Sequence, residues 1–84
     1  MERLGIMSWT RKLPASLHLA DGRRLTTLAQ ARDFLLALPP VDQANPHWLG
    51  AGELLLRAAH RGRRSRILDA GVQFTRALHL DGLL

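Results

Sequence analysis

The sequence predicts an α+β fold in the order ββααα: an N-terminal β-hairpin followed by three helices, as a single small domain. Three observations predict it. Apolar residues alternate at period two around Leu17, and the alternation stops at Asp21-Gly22, a pattern that reads as a hairpin. From Leu28 onward the period changes, and three stretches repeat apolar residues at helical spacing. With 84 residues, 46% of them hydrophobic, the chain can fill one core but not two.

Residues 1–12 show no period and predict a loosely held arm, from which Trp9 packs back onto the domain formed by residues 13–84. Pro14 introduces the first strand, where Ala15, Leu17 and Leu19 share one face and Ser16 and His18 the other. Gly22 supplies the positive φ of a tight turn, and residues 23–26 return as a second strand. A lone hairpin is marginal in water, so its apolar side must lie on the helices.

The first helix is expected over residues 28–38. Thr27 and Gln30 have the spacing of a capping box, in which each side chain takes up a backbone amide near the other. Leu28, Ala31, Phe34, Leu35 and Leu38 form its apolar stripe, and Pro39-Pro40 ends it, because a proline disfavours helical backbone in the residue before it. Residues 39–44 read as a connector. Asn45 then caps a second helix, with Pro46 in its first position and an end near Arg61. Trp48, Ala51, Leu54, Leu55, Ala58 and Ala59 supply its buried side. Gly50 and Gly52 each cost about 1 kcal/mol of helix propensity, and they let another backbone come close. Gly62 is placed to end this helix. Ser65 is the expected cap of a third helix over residues 66–79, whose stripe is Ile67, Ala70, Gly71, Phe74, Ala77 and Leu78. Asp69 in its first turn and Arg76 and His79 in its last complement the helix dipole.

The formal net charge of +5 favours acidic partners. Arg57, Arg61, Arg63, Arg64 and Arg66 crowd the turn between the second and third helices and form the candidate anion or nucleic-acid site, since a guanidinium forks onto a phosphate with paired hydrogen bonds. Ala58 and Gly62 have the offset of a helix-turn-helix motif. Arg57, Arg61 and Arg63, however, stand where that motif packs apolar residues, and Asp69 would repel phosphate, so a groove-reading helix is not expected.

Absence of cysteine excludes disulfides, zinc ribbons and thiol catalysis. Histidines 18, 47, 60 and 79 share no metal-ligand spacing, and no serine sits in a nucleophile elbow. The expectation is a non-enzymatic chain with no metal, cofactor or small-molecule substrate. No apolar run reaches the ~18 residues of a membrane span, and the first residues lack the apolar core of a secretion signal. A cytoplasmic location without membrane association is expected.

So small a core cannot hide every apolar face of these helices. Trp48, Leu56, Val72, Leu83 and Leu84 are the candidate interaction surface. The functional reading is therefore a binding module that contacts a protein partner or a second copy of itself. The alternative is nucleic-acid or other polyanion binding through the arginine turn.

The order of landmarks carries a family resemblance. Trp9 and Pro14 precede the first strand and Gly22 its turn. Thr26-Thr27-Leu28-Ala29-Gln30-Ala31 leads to Phe34-Leu35 and Pro39. Trp48, Ala51, Leu55 and Ala58 lead to Gly62, and Ser65, Asp69-Ala70, Phe74 and Ala77 follow. Over residues 9–83 the chain resembles the small bacterial proteins grouped as domain-of-unknown-function family 982. The resemblance implies a small α+β domain of the architecture derived above. It implies no activity and no site residues.

Overall fold

Thr27 is the residue at which strand becomes helix, and the bonds around it set the layout of the N-terminal half. The structure, a computed structural model, describes residues 8–61 and 63–84, at residue 61 for the backbone alone. Its elements are β1 (Lys12–His18), β2 (Arg24–Thr27), α1 (Leu28–Leu36), α2 (Pro40–Gln43), α3 (Pro46–Arg61) and α4 (Arg64–Leu80). The two strands form an antiparallel hairpin.

The capping box forms as expected. The Gln30 amide donates to Thr27 Oγ1 at 3.1 Å, and Gln30 Oε1 accepts from the Thr26 amide at 2.6 Å and the Thr27 amide at 3.3 Å. The two preceding helix amides are also satisfied, by a segment read from sequence as a loose arm. Leu28 N–H donates to the Arg11 carbonyl at 2.9 Å and Ala29 N–H to the Trp9 carbonyl at 2.9 Å. A helix start leaves four orphan amides, and here three of them have found partners. The same segment is tied to α3 by Ser8 N–H on the Ala59 carbonyl at 2.7 Å, and the Arg32 guanidinium lies 4.7 Å from the centre of the Trp9 ring. Ser8 onward thus belongs to the fold. The rest of the expected arm, residues 1–7, lies outside the described residues.

The described helices number four rather than three. The extra one, α2, falls inside the expected connector. Pro40 pre-sets its first helical position and Asp42 stands in its first turn. Its purpose in the fold is visible at Gln43, whose Nε2 donates to the Leu36 carbonyl at 3.1 Å and the Leu38 carbonyl at 2.7 Å. Those carbonyls are left over at the end of α1, so one side chain seals the helix that Pro39 stops two residues earlier than expected. At the other boundary, α4 begins at Arg64 with Arg63 as its N-cap, and no side chain caps it. Ser65, expected as the cap, already lies inside the helix. Gly62, expected to end α3, lies outside the described residues.

The core sits between α3 and α4 and extends under α1 and the hairpin. Trp48, Phe74, Leu28, Leu55 and Leu78 are its largest fully buried side chains. Trp48 and Phe74 meet edge to face with ring centroids 5.3 Å apart, and Phe34 completes a triangle at 5.9 Å and 6.0 Å. Ala51, Ala58 and Ala59 on α3 and Ala70 and Ala77 on α4 are wholly buried, which brings the two helix backbones close.

The hairpin packs on this pair through Leu13, Leu19 and Leu25. Gly22 has φ +96 in the turn, a conformation in which a side chain would be strained. Between the pairs Lys12–Thr27 and Leu17–Leu25, β1 carries more residues than β2, and the surplus bulges. The bulge explains why Ala15 is exposed although Leu13, Leu17 and Leu19 lie inward. At Gly71 of α4, a methyl group would stand 2.9 Å from Pro14 Cδ and 3.1 Å from Cγ, so the strand rests directly on the helix. No described helix is long and apolar enough to cross a membrane.

Candidate functional site

The α3–α4 pair has two ends of opposite character. At one end, Trp48 Nε1 donates to Asp81 Oδ2 at 2.7 Å, and the other carboxylate oxygen lies 2.9 Å from His47 Nε2. Trp48, read from sequence as part of an interaction surface, is fully buried here. Its indole is the largest side chain of α3 and points into the aromatic triangle. The single polar atom of that ring is met by a carboxylate at the end of the neighbouring helix. A partner cannot reach it.

The other end carries the arginines. Arg63 and Arg64 are exposed and make no ion pair among the described residues. Arg57 reaches back one helical turn to Glu53, at 3.3 Å. Arg57, Arg63 and Arg66 line one hollow together with Ser65, Leu54 and Asp69. Asp69 places a carboxylate in that hollow, where it opposes a bound anion. Arg64 faces another hollow, with Arg11, Lys12 and Ile67. The start of α4 therefore splits the sequence cluster into two basic patches, and Lys12, which the sequence places in the N-terminal arm, joins the second from the first position of β1. The Arg61 side chain lies outside the described residues.

The apolar surface divides as well. Leu36, Leu49 and Leu56 are exposed by 63%, 60% and 53%, more than half in each case. They rim two hollows, one between α1 and α3 and one that α2 also lines, that have Leu35 and Gly52 in common, which makes one continuous apolar face. Gly52 lies in its floor, where an added Cβ would stand 3.4 Å from Leu35 Cδ1. Val72, 70% exposed, lies elsewhere, in a hollow between β1 and α4. Leu84 is exposed at the end of the described residues, and Leu83 packs partly onto the core. The five residues expected to form one interaction surface thus occupy separate places. Leu36 and Leu49 were missed because their positions read as turns away from the helix stripes. Only their exposure beside Leu56 shows that they belong together.

Polar groups elsewhere hold structure. Asp21 at the hairpin tip has its pKa lowered, first by the Arg23 backbone N–H at 2.9 Å and further by the Arg23 side chain at 2.7 Å. Among the described residues no group of three metal-binding side chains converges. Comparison with protein families, characterised proteins and solved structures finds no match for this chain.

Proposed function

We propose that this chain is a non-enzymatic binding module acting by protein–protein contact, with self-association included. The observation that carries the reading is the continuous apolar face of α1 and α3, rimmed by Leu36, Leu49 and Leu56. Scattered exposed leucines are ordinary on a small protein, but a contiguous apolar patch marks a contact surface. The face also has the anatomy of an interface, because Glu53, Arg32 and Gln43 stand at its edges. Leu49→Glu places a charge on its rim, at an exposed position outside the core. Sedimentation velocity across a concentration series tests the reading. A concentration-dependent oligomer that Leu49→Glu reduces to monomer is expected, or else a monomer from which Leu49→Glu removes a co-purifying protein. A strict monomer without any such protein would sink the reading.

A second reading, nucleic-acid or other polyanion binding, is favoured by one observation. Arg63 and Arg64 are solvent-facing on either side of the α4 start and are not engaged in ion pairs among the described residues. Titration with a fluorescent duplex at low and moderate salt tests it. Binding that weakens steeply with salt, and that the pair Arg63→Glu and Arg64→Glu abolishes, is expected from counterion release. Binding indifferent to salt, or none at low salt, eliminates this reading.

A further inference from the structure

A trough runs between β1 and α4, on the opposite side of the strand from β2. Leu13, Pro14, Ala15 and Leu17 form one wall and Leu68, Gly71, Val72 and Thr75 the other, around a cavity of about 300 Å3. No residue of β2 lines it, so it follows the edge of β1 that has no neighbouring strand among the described residues, with the contact of Pro14 on Gly71 as its floor. Its walls are apolar apart from Thr75. At its start it opens into the second basic patch, with which it shares Pro14 and Leu68. Lys12 and Arg64 face that patch, and neither makes an ion pair among the described residues.

We propose that this trough takes an extended peptide segment of a protein partner, with apolar side chains along β1 and carboxylates at the Lys12–Arg64 end. The proposal rests on the protein-binding reading above and gives that reading a second, chemically defined site. Dimensions fit. From Arg64 to Thr75 the helix advances about 16 Å, at ~1.5 Å per residue, which about five extended residues span at ~3.3 Å each. Mode and charge fit as well. An open strand edge offers unpaired backbone groups to an added strand, while side-chain pockets select the sequence. Pro14 lacks an N–H, and Lys12 is charged. Both features discourage indiscriminate edge pairing, so an acidic terminus on the peptide becomes the requirement for entry. A second copy of this chain is the poorer occupant, since a net charge of +5 on each molecule opposes it.

A random-peptide display library selected on the whole protein tests the proposal. Enriched peptides are expected to combine alternating apolar residues with flanking Asp or Glu, and amide exchange should slow within residues 13–17 when one is added. Val72→Asp, at an exposed position, should weaken them at least about tenfold. Lys12→Glu with Arg64→Glu should shift the selection towards basic flanks. Circular dichroism verifies that each variant is folded, and Val72→Ser replaces Val72→Asp should the latter unfold. The idea is overturned by the failure of any peptide to enrich, by enrichment without carboxylates, or by binding indifferent to Val72. Self-association that Val72→Asp disrupts would assign the trough to a second copy and overturn it too. If association dependent on Leu49 persists while the peptides fail, only the trough falls. If both are lost, the protein-binding reading falls with it.

Discussion

The two ends of the α3–α4 pair show how a small domain divides its polar chemistry. At the Asp81 end, one carboxylate satisfies the indole of Trp48 and contacts His47, and both partners lie on the first turn of α3. At the arginine end, the start of α4 has no side-chain cap, and Arg63 and Arg64 point into water. The first arrangement locks a large aromatic ring in the core. The second contributes little to folding and leaves its charges available. The difference teaches that a dense run of charge in a sequence need not mark where charge matters for the fold. One acid near a helix end does more when a buried donor faces it.

This contrast can be broken from the core outward. Trp48→Ala should have the largest effect, a loss of about 3–5 kcal/mol in urea unfolding, because it removes one corner of the aromatic triangle and leaves a cavity there. That is a large share of the stability of a domain this size. Asp81→Ala should cost about 1–3 kcal/mol by leaving the Trp48 N–H without its acceptor. Asp81→Asn keeps an acceptor oxygen and should cost less, which separates the hydrogen bond from the charge. At the other end, the double change Arg63→Ala and Arg64→Ala should move stability by less than about 0.5 kcal/mol. A larger loss there would remove the distinction between the two ends.

The smallest effect concerns pH. The pKa of Asp21 is lowered from its ordinary value of 3.8, so its contribution is fully present above that value and is lost as pH falls through the lowered one. Asp21→Asn should therefore melt below the wild type near neutral pH and lose that difference in acid. Thermal scans at the two pH values check the sign. A difference that instead grew in acid would place the effect elsewhere.

How much of this was legible in the sequence follows from the range of each interaction. The capping box at Thr27 and Gln30, the turn at Gly22, the start at Pro46 and the apolar stripe of α4 are all local, and each appears where its residues predict. The clasp between Trp48 and Asp81 was not legible, because it joins residues that only tertiary packing brings together. The amide contacts that Trp9 and Arg11 make with α1 were hidden for the same reason. Ser65 misled because a good capping residue stands two positions past Arg63, and the helix had already begun. For the site, the arginine run was plain but its division was not. Which way Arg64 faces depends on where the helix starts, and Lys12 reaches it from a distant strand. The apolar face was half visible through Leu56 and incomplete without Leu36 and Leu49, whose neighbours across α1 and α3 no period reveals.

The bond from Ala20 N–H to the Leu83 carbonyl, at 2.8 Å, ties the hairpin turn to the segment after α4. Its consequence is kinetic. The helical pair α3–α4 is built from contacts close along the chain, and such contacts close quickly. The hairpin turn closes on itself through local bonds, such as Leu19 N–H to the Arg23 carbonyl at 2.8 Å, but its tie to Leu83 spans most of the chain, so that bond forms late and after a large loop has closed. A folding transition state that contains the helix pair, with the hairpin turn not yet docked on the Leu83 segment, is what this order predicts. The same order means that stabilising the Ala20–Leu83 contact would slow unfolding while leaving the folding rate nearly unchanged.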